Sequence, residues 1–206
     1  MKKTTLGELI ANAISHGLGL LFAIAGLVLL IVKSNTTSEI LSSITFGVAM
    51  IILYLSSTLF HSFPEKMKRV YSVFQRLDHS SIFILISGTY TPFLVLLIGT
   101  KEAYILLITL WIITIFGIVF KSIWINKFKV VHLGIYLVMG WSILFIVNEA
   151  YNQLGDAFLF VLLGGISYTV GVAFYVARFK YNHFVWHLFV LGGTVFHFIA
   201  VYGYLL

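Results

Sequence analysis

Five polar side chains that could carry out chemistry together stand at the ends of apolar segments of the chain. They are Ser57, His61, Asp78, His183 and His187. Ionisable groups within such segments are costly, so each of them is a candidate functional residue. Three neutral imidazoles with one open position form the ligand set of a catalytic zinc site, in which a water occupies the fourth place. The histidines of this group are therefore the predicted zinc ligands.

The two remaining residues suit the chemistry beside such a metal. The carboxylate of Asp78 can accept a hydrogen bond from the water, take its proton during attack and return it to a leaving group. Ser57 lies four residues before His61, on the same helix face and about 6 Å away along the axis. Its hydroxyl can donate a hydrogen bond to the water or to a developing oxyanion. Asp78 and Ser57 are therefore the predicted catalytic residues.

Each polar residue also has a simpler explanation. His183 and His187 can be anchors at a membrane interface, because they lie beside aromatic residues. His61 can be a hydrogen-bonding residue between helices, and Asp78 can cap the N-terminus of a helix. If all of these explanations held, several unrelated polar residues would lie by coincidence on the same side of a membrane. A single shared site explains them more simply.

The composition sets the class of the protein. Of the 206 residues, 60% are hydrophobic and only 10% are charged. Continuous apolar runs of roughly 20 residues, the length that crosses about 30 Å of hydrocarbon as helix, recur along the chain and exclude both a soluble domain and an alternating barrel. The sequence predicts an all-α integral membrane protein, with one seven-transmembrane helix bundle over residues 1–206. The predicted spans are Asn12 to Val32, Ile40 to Phe60, Asp78 to Ile98, Ala103 to Trp124, Val130 to Val147, Ala157 to Ala177 and His183 to Tyr204.

The basic residues predict the orientation. Of the 13 Lys and Arg residues, only Lys33 and Lys101 fall in loops on the side opposite the others. This positive-inside bias predicts a cytoplasmic N-terminus and an extracellular C-terminus in the cell membrane, with the metal site near the cytoplasmic face. The net charge of +6 then reflects topology and contact with anionic lipid, and nucleic-acid binding is not expected. Because the chain has no cysteine, a metal must use His and carboxylate ligands.

Three ordered motifs carry a resemblance that covers nearly the whole chain. They are SxxxH from Ser57 to His61, RLDHSSIFILISGTYTPF from Arg76 to Phe93, and HFVWHLFVLGGTVFHF from His183 to Phe198. The chain resembles the haemolysin III branch of the progestin and adipoQ receptor family and, more distantly, adiponectin receptors and alkaline ceramidases. The resemblance implies zinc bound by His61, His183 and His187, with Asp78 contacting the bound water. The chain lacks the long soluble N-terminal region of the receptor branch, so hormone binding is not expected.

These observations predict a zinc-dependent hydrolase of acyl lipid amide or ester bonds, with a membrane lipid as its substrate or ligand. One alternative is a non-enzymatic regulator of membrane lipid state in which zinc stabilises the protein. A less favoured alternative is a pore-forming cytolysin, since the sequence is typical of a resident multi-pass protein. The oligomeric state is left open by the sequence.

Four further expectations concern residues around the site. Phe63 to Gln75 is predicted to be a loop along the inner surface, and Pro92 is predicted to interrupt the third helix. His16 is expected to be a buried hydrogen-bonding residue beside glycines. His197 lies 14 residues after His183, about 21 Å along the helix axis, which excludes it from the same metal and predicts an interhelical hydrogen bond.

Overall fold

Seven long apolar helices make up the computed structural model, which describes residues 5–125 and 127–206; these ranges contain no strand. The prediction of an all-α seven-helix membrane protein is confirmed. Lys2 and Lys3, which contribute to the predicted orientation, lie outside the described residues. The spans are α1 (Leu6–Lys33), α2 (Thr37–Ser62), α3 (Lys68–Ile98), α4 (Lys101–Ile123), α5 (Lys129–Leu154), α6 (Ala157–Val176) and α7 (Asn182–Leu205).

The first two helices begin at capping boxes that are visible in the sequence. Thr5 accepts a hydrogen bond from the backbone N–H of Glu8, and the Glu8 side chain accepts one from the backbone of Thr5. Thr36 and Glu39 repeat the arrangement at the start of α2. Each box satisfies N–H groups that a helix N-terminus leaves unpaired. These caps fix the entry points of the helices that carry much of the site.

The last helix closes the bundle against the first. Consecutive helices pack together from α1 to α4, and α7 packs against both α6 and α1. At one end of this contact the backbone N–H of Tyr181 donates to a carboxylate oxygen of Glu8 at 2.9 Å. At the other end the Lys33 ammonium donates to the carbonyl of Tyr202. The contact holds the polar face of α1 against the histidines of α7.

The expected loop from Phe63 to Gln75 is mostly wrong. Helix α2 does end at Ser62, just before Pro64, but α3 begins already at Lys68. Aromatic packing explains the early start, because Tyr71 lies 4.9 Å from Phe60 and Phe74 stacks on Phe63 at 5.0 Å between ring centroids. The basic segment is therefore a helix that packs on the end of α2.

Helices α3 and α5 depart from regular α-geometry beside the interior of the bundle. Pro92 ends the regular part of α3, and a π-helical stretch from Phe93–Ile98 follows, as expected where a proline removes a donor. Helix α5 breaks after Gly140, where the Tyr90 hydroxyl donates to the Gly140 carbonyl at 2.8 Å and accepts from the Ile143 N–H at 3.0 Å. Tyr90 thus supplies partners for backbone groups that the broken helix leaves unpaired.

The helices pack closely in the interior and expose apolar side chains outside. A Cβ on Gly88 would collide with Ala49 of α2, and it would lie 3.3 Å from the Thr45 carbonyl. Only a glycine allows α3 to come this close to α2, as small residues do between membrane helices. Outside, Phe116 and Phe145 are 70% and 81% exposed, which suits contact with lipid.

Candidate metal centre

Three histidines from two helices meet at one point of the bundle. His61 ends α2, while His183 and His187 lie on successive turns of α7. Their ring centroids are 5.0 Å apart from His61 to each of the other two and 4.7 Å apart between His183 and His187. One ligand nitrogen from each ring lies within 4.8 Å of the other two. The structure therefore brings the three predicted ligands together.

The donor set suits a metal. Nε2 of His61 is buried and has no hydrogen-bond partner, although a buried polar atom normally has one. Three imidazoles whose nitrogens converge in this way suit Zn²⁺, which takes a fourth ligand besides three histidines in catalytic sites. An interfacial anchoring role does not explain His187, which is only 1% exposed.

The first helix orients one of these rings, a role that the sequence reasoning missed. Nδ1 of His187 lies 3.0 Å from the Ser15 hydroxyl and 3.3 Å from the Asn12 carbonyl. The Ser15 hydroxyl itself donates to that carbonyl at 2.9 Å, so it accepts from the ring. A hydrogen on Nδ1 leaves Nε2 of a neutral imidazole unprotonated and able to bind a metal, as in other histidine sites.

The sequence held a signal for this contact. Asn12, Ser15 and His16 follow an i, i+3, i+4 spacing, which puts polar groups on one face of an otherwise apolar helix. His16 is buried as expected, but its nitrogens have no hydrogen-bond partner. Instead its ring stacks on His187 with centroids 3.5 Å apart. Helix α1 therefore holds the ring of His187 through both a hydrogen bond and ring stacking.

Replacing Ser15 with alanine is expected to weaken zinc binding about 10-fold, because removal of a group that orients a ligand has an effect of about 10- to 100-fold. The affinity can be measured by competition with a chromophoric chelator on purified protein. The control is Ser34→Ala at the C-cap of the same helix, where the hydroxyl donates to the Leu30 carbonyl and lies 3.0 Å from the Ser43 hydroxyl. An equal loss in both variants would contradict a specific role for Ser15.

The predicted catalytic residues share a cavity with two of the histidines. Ser57, Asp78, His183 and His187 all line a cavity of about 190 Å³ whose remaining wall is mainly apolar. Ser57 is 1% exposed, and its hydroxyl interacts with the Asp78 carboxylate without forming a hydrogen bond of regular geometry. A buried hydroxyl on a cavity wall that lacks a regular hydrogen bond is available to a ligand in the cavity.

Asp78 does not cap a helix. It lies within α3, more than two turns after the helix begins at Lys68, which removes the simplest structural explanation of this residue. One of its carboxylate oxygens lies 3.5 Å from Nδ1 of His79, which is committed to the Gln75 carbonyl at 2.8 Å. The carboxylate therefore retains acceptor capacity beside the cavity.

The cavity runs along the bundle and opens sideways. His197 lines its far end, where Nε2 lies 3.1 Å from the Val161 carbonyl, so the expected interhelical hydrogen bond is confirmed. Between α5 and α6 the lining includes the exposed Leu144 and Thr169, with the Trp141 indole donating to the Thr169 hydroxyl at 2.9 Å. An extended apolar molecule could enter between these helices.

Comparison with known proteins shows a match over nearly the whole chain. The family model described as "Haemolysin-III related" matches residues 6–198. The chain is 42% identical to "Hemolysin-3 homolog" of Bacillus subtilis (strain 168), over 97% of this chain and 95% of that protein. It is 41% identical to "Hemolysin-3" of Bacillus cereus, over 97% and 92%. It is 29% identical to the human "Monocyte to macrophage differentiation factor", over 98% and 87%.

Proposed function

Because the chain belongs to the haemolysin III-related family of multi-pass membrane proteins, we propose that it is a zinc-dependent hydrolase of acyl lipids in the cell membrane. The reaction would cleave an amide or ester bond near the cytoplasmic face, releasing a fatty acid. The observation that carries the proposal is the convergence of three buried or half-buried histidines on one point beside an apolar cavity.

The chemistry follows from the groups present. A Zn²⁺ held by His61, His183 and His187 would supply a Lewis acid and lower the pKa of a coordinated water to about 7. Asp78 would accept the proton that the water loses on adding to the acyl carbon, and would return it to the departing nitrogen or oxygen. Ser57 would donate a hydrogen bond to the carbonyl oxygen as negative charge develops there. The products are a carboxylic acid and an amine or alcohol.

The shape and lining of the cavity support the proposed substrate class. Apolar residues from α3, α5, α6 and α7 form most of its wall, and they suit an acyl chain. The lateral opening between α5 and α6 would let a lipid enter from the bilayer without crossing water. The reacting carbonyl would then lie near the histidines, with the acyl chain extending towards His197.

The test is hydrolysis by the purified protein. Zinc-loaded protein in mixed micelles would be incubated with a ceramide and with diacyl phospholipids, and fatty acid release would be measured by mass spectrometry. We expect release with at least one lipid, its loss after chelation, and its return with zinc. Zinc-dependent thermal stability without product from any lipid would favour the non-enzymatic regulator instead.

The names of the two Bacillus relatives favour a second candidate function, lysis of cells. A pore would release small solutes before large ones, so osmolytes above a threshold size would protect erythrocytes. Lysis by a hydrolase would require turnover, and chelation would abolish it. Size-dependent protection that persists after chelation would support the pore.

A further inference from the structure

A buried lysine lies beside the candidate site and has no part in the proposed hydrolysis. Lys121, near the end of α4, is only 4% exposed and lines the same cavity as Asp78. Within the described residues its amine forms no hydrogen bond and no ion pair at 4 Å or less. Burying a charged amine is costly unless a partner compensates it. This lysine therefore calls for an anionic partner inside the cavity.

The charges around the cavity do not balance. Lys129, at the start of α5, also lines it, and Asp78 is the only acidic residue among the lining side chains. Lys121 interacts electrostatically with both. Two ammonium groups and one carboxylate give this end of the cavity a net positive charge, to which Lys121 contributes from a buried position and Lys129 from a solvent-exposed one. A single anionic group at this end of the cavity would neutralise it.

We propose that Lys121 and Lys129 bind the phosphate of an acyl lipid whose chain occupies the cavity. The inference rests on the proposed function only for the position of the acyl carbonyl. The lysines lie on α4 and α5, whereas the three histidines lie on α2 and α7. The cavity is lined by both lysines, by Asp78 of α3 and by two of the histidines, His183 and His187. A lipid that serves both places needs a carbonyl and a separate anion. A phospholipid has both, whereas the anion of a fatty acid is its own carbonyl group.

Binding without turnover tests the proposal. Full-length protein in detergent, treated with chelator, would be titrated with dioleoyl phosphatidic acid and with dioleoylglycerol, which has the same chains but no phosphate. Native mass spectrometry would measure the bound fraction. We expect phosphatidic acid to bind at least about tenfold more tightly than dioleoylglycerol. Lys121→Gln should abolish this difference in affinity, because a hydrogen bond between charged groups contributes about that much to binding. Lys121→Arg, which keeps the charge, should retain it.

Matched variants distinguish phosphate binding by Lys121 and Lys129 from nonspecific attraction of an anionic lipid to basic residues. Lys127→Gln removes an exposed lysine outside the cavity lining and should bind phosphatidic acid like the wild type. Lys129→Gln changes an exposed side chain, so it should weaken binding without affecting the fold, and it serves if Lys121→Gln does not elute as a folded protein. The experiment measures binding and not hydrolysis, so it tests the phosphate site even if the protein does not hydrolyse lipids.

Several outcomes would overturn the proposal. Equal binding of the two lipids would show that the phosphate contributes nothing, and unchanged binding by both glutamine variants would show that the lysines do not. Oleate binding as tightly as phosphatidic acid, and depending on Lys121, would assign the site to a carboxylate. Inorganic phosphate that binds as tightly as the lipid would assign it to the free ion.

Discussion

Purified His187→Ala protein is expected to contain almost no zinc, whereas the wild type should hold about one ion per chain, as a three-histidine site does. His187 is buried, and its ring is held by contacts with Ser15, Asn12 and His16. Removal of a group that orients a ligand lowers metal affinity about 10- to 100-fold. Removal of the ligand itself should lower the zinc affinity further. Metal content can be measured by inductively coupled plasma mass spectrometry, and His61→Ala should behave in the same way.

His197→Ala is the control for this experiment. It removes the same residue type from the same helix and from the same cavity, but at the end remote from the other histidines. Its zinc content should equal that of the wild type. Zinc retained by His187→Ala, or lost equally from His197→Ala, would mean that the three converging histidines do not form the metal site.

The sequence predicted the parts of this protein that follow from periodicity and apolar length. Apolar runs of sufficient length are visible along the chain, so the seven helices of the structure were expected. The spacing of Ser57 to His61 and of His183 to His187 follows from helix geometry, and it put those pairs on shared faces. The convergence of these faces was inferred from topology and the family motifs, and the structure confirms it for the three histidines.

What the sequence missed depends on packing between distant helices. Polar residues from Lys68 to Gln75 suggested a loop, but Tyr71 and Phe74 pack on the end of α2 and make the segment helical. The contact of Ser15 with His187 joins residues 172 positions apart, so no local pattern specifies it. From the sequence, Lys121 was interpreted only as one of the basic residues that set the orientation. Its burial could not be predicted, because it depends on how α3 and α5 pack around α4.

Replacing Asp78 with asparagine is expected to reduce lipid hydrolysis at least about 100-fold while leaving the zinc content unchanged. Asparagine keeps the shape of the side chain but cannot take up the proton that the water loses, and general acid–base groups contribute about 10²- to 10⁴-fold. Asp78 lines the cavity and is not among the three converging ligands, so the metal should remain. Zinc content and the rate of fatty acid release would be measured on the same preparation.

The pair of measurements separates three roles for Asp78. Loss of both zinc and hydrolysis would make the carboxylate a metal ligand, while retention of both would leave it without a chemical role. Asp156→Asn, in the exposed turn before α6, is the matched control and should keep full activity. Ser57→Ala should lower the rate with zinc retained, because Ser57 lines the same cavity beside Asp78 without belonging to the ligand set. Losses of rate in Asp78→Asn and Ser57→Ala, with zinc present in both, would assign the histidines to the metal and these two residues to the reacting lipid.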